Sequence, residues 1–135
     1  MVTTRLIRVV AAVVEDGGLY LITQRRQEAV LGGLWEFPGG RVELGESDEQ
    51  ALARELRERI GVVAEIGPAL SERHTVYPEY EVTLALYSAT LAPGQIPRRG
   101  RVQDFRWIRS SEFDRYQFPA ADQATMDALL GLRRN

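Results

Sequence analysis

Cysteine is absent from this chain of 135 residues, which excludes disulfides, thiolate metal sites and cysteine nucleophiles. Histidine occurs once, as His74, so a zinc site built on several histidines is excluded as well. No apolar stretch approaches the ~20 residues that a membrane-spanning helix needs, and no membrane partner is expected. The apolar run near the start, residues 9–14 (VVAAVV), is short for a secretory signal core and has no cleavage region behind it. It reads as a buried strand, and the expected location is cytoplasmic. Neither sign of charge dominates: 17 basic against 19 acidic residues leave −2. That balance argues against a broad surface for extended nucleic acid and leaves small charged ligands open. Linkers, repeats and low-complexity segments are lacking too, so residues 1–135 are expected to form one domain.

What is present suits a folded domain: 44% of residues are hydrophobic and 27% charged. Valine-rich residues 6–14 end at a turn signal, Glu15-Asp16-Gly17-Gly18, and residues 19–24 (LYLITQ) form a second strand of a β-hairpin. A loop over 27–33 leads to a short apolar piece, 34–37, which stops at Pro38-Gly39-Gly40; 41–45 reads as loop. Segments 62–70 and 73–77 look extended, 81–91 (EVTLALYSATL) alternates strongly, and 105–108 (FRWI) reads as a last strand. A loop rich in Pro, Gly and Arg fills 92–100. A helical turn at 110–113 and an amphipathic helix over 121–132 complete the chain. Strands mixed with two main helices predict an α+β or α/β/α sandwich.

The clearest helix covers 47–60. Ser47 and Gln50 make a capping box, and Asp48 and Glu49 suit the positive end of the helix dipole. Leu52, Leu56 and Ile60, with Ala53 beside them, give the buried stripe, and Gly61 is a fitting stop. Glu55 and Glu58 lie about 60° apart on this helix. Like charges so placed repel unless a cation sits between or beside them. Arg54, Arg57 and Arg59 could supply it on a wet face, and pairs of that kind are common. A hard divalent cation such as Mg²⁺ also uses such an oxygen pair, adding waters and substrate phosphates. Gly39-Gly40 could bring a backbone carbonyl to the same point, since no Cβ blocks the approach.

The wider spacing decides more. Gly40, five residues, Glu46, seven residues, then Arg54-Glu55-Leu56-x-Glu58-x-x-Gly61-Val62 resembles the Nudix box, over residues 40–62. LITQRR, LWEFPGG and YQFPAAD look like the MutT-type subgroup of nucleoside triphosphate pyrophosphohydrolases, which includes those acting on CTP and oxidised nucleotides. The resemblance covers nearly the whole chain and is weakest over 62–100. It implies an α/β/α sandwich with a mixed β-sheet and the box as a loop-helix-loop. It implies Mg²⁺-dependent hydrolysis of a nucleoside diphosphate linked to another group, with Mn²⁺ as the other ion of this chemistry. A (d)NTP would give the monophosphate and pyrophosphate, and the protein would be a monomer or homodimer. Carried over by position, Glu55 and Glu58 would be metal ligands with the Gly39 carbonyl, and Glu55 would orient or deprotonate the attacking water. Glu46 and Arg54 would brace the loop-helix-loop, together with Gly40 and Gly61. Arg25 would face the phosphates, Asp122 would read the base edge, and Phe118 and Pro119 would shape that pocket.

The chain departs from the pattern at three places. Arg59 stands where the box carries a further glutamate. Arg101 stands six residues before Trp107, where the subgroup supplies a late glutamate. Three readings stay open: fewer metal ions, with arginines neutralising phosphate; a substitute carboxylate from Asp104 or Glu112; or a domain that binds a nucleotide without turnover. At the third place Asp122 replaces an asparagine. An ionised aspartate only accepts hydrogen bonds, which suits an exocyclic amine such as that of cytosine. Asp122 would equally cap the last helix. The runner-up activity is a nucleotide-sugar or dinucleotide pyrophosphatase, with space near Pro78. RNA 5′-end processing is disfavoured by the charge. His74, Tyr77, Tyr80, Tyr87 and Trp107 read first as core or sheet residues, and Arg98-Arg99-Arg101 as a solvated loop.

Overall fold

The computed structural model describes residues 5–120 and 122–131. Its centre is β1 (Arg5–Asp16), a strand long enough to serve two sets of neighbours. The far end of β1 turns through Gly17-Gly18, both at positive φ, into β2 (Leu19–Gln24). Most of its length pairs in parallel with β6 (Tyr80–Leu91), from Arg5↔Tyr80 to Val14↔Ala89. Strand β5 (Ala64–Val76) closes one edge antiparallel to β6. On the other side β2 pairs with β3 (Trp35–Glu36) and with β7 (Asp104–Arg109), and β4 (Gly39–Arg41) lies against β1. The sheet order is β3-β2-β1-β6-β5, mixed in direction.

Alternation along β1 assigns the two faces. Val10, Ala12 and Val14 pack with Leu52, Leu56 and Ile60 of α1 (Asp48–Ile60). Ile7 and Val9 pack instead with Tyr80, Val82 and with Met126 and Leu130, at α2 (Gln123–Leu129). Helices on opposite faces make the α/β/α sandwich. Burying each large aliphatic side chain of the α1 stripe contributes about 1.5–3 kcal/mol. The capping box at Ser47 and Gln50 is formed in both directions, and Gly61 ends α1 in the left-handed region at φ 66°.

Five details differ from the sequence reading. Residues 39–41, read as turn and loop, form β4, because pairing with Val9, Val10 and Ala11 overrides the local turn signal. The two extended segments after α1 are one strand, β5, with register shifts between Ile66 and Ser71. Ala51, not Ala53, is the fully buried alanine of α1. The last helix is shorter than 121–132, and Ala121 and Leu132 lie outside the described residues. The turn at 110–113 is a 3₁₀ helix, Ser110–Arg115.

The start of α1 is fixed by charge. Arg8 donates to both oxygens of Asp48 at 2.7 Å, the Tyr87 hydroxyl donates to the same carboxylate, and Arg8 also reaches Glu72 at 2.9 Å. The Arg8 bond, then that of Tyr87, holds the Asp48 carboxyl below its ordinary range against the opposing effect of burial. The folded state therefore favours the ionised form. Its contribution is complete above the ordinary carboxyl value of about 3.9 and is lost as pH falls through the lower folded value. Asp48→Asn is expected to cost about 1 kcal/mol at neutral pH, toward the low end because Arg8 is 37% exposed. Urea unfolding between about pH 6 and about pH 3 should show the gap between native and variant narrowing on the acid side. A constant gap would remove Asp48 as its source.

Candidate active site

The site is built where β4 passes under α1. A Cβ on Gly39 would lie 2.0 Å from the Val10 carbonyl oxygen, so close pairing with β1 demands glycine. A Cβ on Gly40 would lie 2.6 Å from the Glu55 carboxyl carbon. Glycine here lets the Glu55 carboxylate rest on the β4 backbone, in space a side chain would otherwise fill.

Arg54 ties the loop to the helix. Its Nε and Nη2 bind the two oxygens of Glu46 at 2.8 and 2.9 Å, and Nη2 also donates to the Arg41 carbonyl at 3.1 Å. Its Nη1 donates to Glu55 at 2.9 Å and stands 3.6 Å from Glu58. Arg59 grips the other Glu55 oxygen through Nε at 2.6 Å and approaches Glu36 at 3.8 Å. Glu36 in turn accepts from Arg25 at 3.1 Å, while Arg101 reaches Glu58 at 3.1 Å. The result is an unbroken alternation: Arg101, Glu58, Arg54, Glu55, Arg59, Glu36, Arg25.

Arg101 reaches Glu58 because its loop is stitched to the end of α1. The backbone N–H groups of Arg98, Gly100 and Arg101 donate to the carbonyls of Ile60, Arg59 and Glu58 at 2.9, 3.0 and 3.2 Å. These carbonyls have no partner within the helix. A Cβ on Gly100 would sit 2.5 Å from the Glu58 carbonyl oxygen, so glycine permits the approach. Asp104 and Glu112 are engaged elsewhere: Asp104 with Arg99, Arg106 and its neighbour's N–H, Glu112 with Arg115 and the Arg109 N–H.

Two clefts meet at this network. A polar one of about 240 Å³ is lined by Arg25, Arg26, Ala29, Glu55, Arg59 and Arg101. A larger apolar one of about 380 Å³ runs over the sheet between Phe37, Phe118 and Met126, with Val82, Leu84 and Leu86 as floor. Arg25 and Arg59 line both. Of the expected residues, Arg25, Gly39, Gly40 and Phe118 line the apolar cleft and Glu55 the polar one. Glu46 and Arg54 brace the loop behind them. Asp122 lies at the exposed start of α2, where it accepts from the Thr125 N–H at 2.7 Å; it is not among the residues lining the cleft. Tyr80 and Tyr87 are sheet residues bonded to Asp127 and Asp48, and His74 sits on β5 beside Thr83.

The sequence reading missed Glu36 and Arg26. Glu36 stands in a segment too short for periodicity to assign its face. Arg26 joins the site through the Gly100 carbonyl, 74 positions away, at 2.8 Å. The oxygens of Glu55, Glu58 and the Gly39 carbonyl are hard donors of the kind magnesium takes. Gly40 lets the Glu55 carboxylate rest on the β4 backbone, beside the residue that carries the Gly39 carbonyl. No group of three or more His, Cys, Asp or Glu able to hold a metal occurs among the described residues. No described helix is long and apolar enough to cross a membrane.

Comparison with known proteins gives a consistent answer. Residues 9–128 match the NUDIX domain family. The chain is 33% identical over 129 residues to the CTP pyrophosphohydrolase of Escherichia coli K12, covering 96% of this chain and 95% of that protein. It is 36% identical over 134 residues to the 8-oxo-dGTP diphosphatase of Haemophilus influenzae, covering 97% and 96%. The solution structure of the E. coli ORF135 protein superposes with a TM-score of 0.73 at 32% identity, covering 95% of this chain and 91% of that one.

The Glu46 carboxyl is pulled down to about 2, first by the Arg54 guanidinium and then by the Glu43 N–H. Arg54→Met should return it toward the ordinary glutamate value of about 4.3. Carbon-detected NMR titration of the side-chain carboxyl reads this shift, and an unchanged midpoint would show that Arg54 does not hold Glu46 in solution.

Proposed function

This chain belongs to the NUDIX domain family of hydrolases, and from that premise we propose that it hydrolyses a nucleoside triphosphate to the monophosphate and pyrophosphate. Its base would be cytosine or an oxidised purine. The observation that carries the reading is the position of Glu55 on the wall of a polar cleft lined by arginines, which shares Arg25 and Arg59 with an apolar cleft beside it. The names of the two similar proteins, a CTP pyrophosphohydrolase and an 8-oxo-dGTP diphosphatase, support the substrate class.

Glu55, Glu58 and the Gly39 carbonyl would hold a divalent cation, Mg²⁺ first, which neutralises phosphate charge and acidifies a bound water. Glu55 orients the attacking water and accepts its proton. The water oxygen bonds to phosphorus, the anhydride link between the first and second phosphates breaks, and pyrophosphate leaves with the bridging oxygen. Arg54 keeps Glu55 in place through Nη1 while its other nitrogens hold Glu46. Arg25, fixed by the Val30 carbonyl at 2.7 Å and by Glu36, faces the phosphates. Phe118 packs near Phe37, with ring centroids 6.0 Å apart, and the two offer an aromatic wall to the base. Asp122 caps α2 by accepting from the Thr125 N–H and stands outside this wall, so the base preference does not rest on it.

A second reading, a nucleotide-binding module without turnover, draws on the ion pairs themselves, since Arg59 and Arg101 already occupy both carboxylates. One panel separates the two. CTP, dCTP, 5-substituted cytosine nucleotides, oxidised dGTP, ADP-ribose and a nucleotide sugar are incubated with Mg²⁺ or with chelator. Pyrophosphate release from triphosphates, lost in chelator and lowered at least about 100-fold in Glu55→Gln, is the expected result. Binding without turnover across the panel would leave the module.

A further inference from the structure

The polar cleft gathers four guanidiniums, those of Arg25, Arg26, Arg59 and Arg101, against the single carboxylate of Glu55 on its wall. Like charges at this density repel, so each is anchored from behind: Arg25 by Val30 and Glu36, Arg26 by Gly100, Arg59 by Glu55, Arg101 by Glu58. These anchors use one or two of the five N–H donors on each guanidinium. The remaining donors are open to an anion, and the planar fork matches the geometry of phosphate oxygens. The two carboxylates that a cation would use are the same two that Arg59 and Arg101 grip, at 2.6 and 3.1 Å. Only one acidic side chain lines the cleft, so its interior offers few oxygens to further cations.

We propose that this cleft is a pyrophosphate site. In it Arg59 and Arg101, with Arg25 and Arg26, neutralise the departing diphosphate in place of further metal ions, so that the site takes one divalent cation. The proposal rests on the triphosphate reading above, but the site itself binds a diphosphate anion with or without turnover. The four arginines come from three separate parts of the chain: the end of β2, the end of α1 and the loop stitched to it. A chance cluster of surface charge would not need Gly100 and three backbone hydrogen bonds to bring Arg101 to Glu58.

Calorimetric titration of inorganic pyrophosphate in chelator reads the site without metal or catalysis. One saturable site per chain is expected. Arg59→Gln and Arg101→Ala should each weaken it about tenfold, with Arg101→Lys recovering part, whereas Arg109→Ala, outside the cleft, should change nothing. Counting bound Mn²⁺ by electron paramagnetic resonance should give one per native chain. No metal-free pyrophosphate binding, binding indifferent to both arginines, or two or more Mn²⁺ per native chain would each overturn the proposal. If the arginine variants lose pyrophosphate but no nucleotide is turned over by the native protein, the triphosphate reading fails and the site stands. If nucleotides are turned over while pyrophosphate ignores the arginines, the reverse holds.

Discussion

Arg54 is the interaction on which the site depends. One guanidinium binds both oxygens of Glu46, the Arg41 carbonyl and Glu55, and stands within ion-pair reach of Glu58. It therefore joins three things that the chain makes separately: the loop after β4, the helix α1 and the paired carboxylates. Its own proton is held more tightly than usual, first by the bond to Glu46. A lysine at this place could neutralise one carboxylate but could not span two in a fixed plane. The chain has no lysine anywhere, and all 17 basic residues are arginine. The composition thus matches a site whose central cation makes four directed bonds.

From Arg54 the alternation of charge runs outward in both directions, to Arg101 through Glu58 and to Arg25 through Glu55, Arg59 and Glu36. Single surface pairs of this type contribute roughly 0–1 kcal/mol, so the network is weak evidence for stability. Its effect is geometric. Each carboxylate is held by two cations, and each cation near the cleft is held by a carboxylate or a carbonyl. An incoming anion then meets guanidiniums whose positions are set beforehand, which lowers the ordering cost of binding.

Most of the fold was legible in the sequence because its signals were local. The capping box at Ser47, the four-residue repeat of Leu52, Leu56 and Ile60, and Gly61 define α1 without reference to anything else. The alternation of β6 and the hairpin at Gly17-Gly18 are equally self-contained. What escaped depends on partners far along the chain. Strand β4 exists because β1 offers it hydrogen bonds, against the turn signal of Pro38-Gly39-Gly40. Strand β5 hides its continuity because it is an edge strand, mostly exposed, whose polar residues 71–74 need not alternate. In the site, helix spacing placed Glu55 and Glu58 on one face, and the resemblance to the Nudix box implied Arg54 and Glu46 beside them. Glu36 and Arg26 did not, since each enters through contacts across the sheet. Arg59 and Arg101 were visible as departures, but the carboxylates they pair with are a matter of tertiary placement.

The two clefts give those departures a direction. Arg25 and Arg59 line both, so they mark the point where the apolar and polar spaces join. In the proposed reading, a nucleotide with its base among Phe37, Phe118 and Met126 would carry its phosphates past that point and into the cleft that holds Arg26 and Arg101. Glu55 lies on the wall of that second cleft, with Gly40 keeping its carboxylate against β4. In the proposed reaction the link that breaks would fall at the junction, with the nucleoside half on the apolar side and the diphosphate half among the arginines. If the proposed pyrophosphate site holds, arginine at these two places would put positive charge on the protein itself rather than on further bound ions, on the side where the leaving group would collect its negative charge.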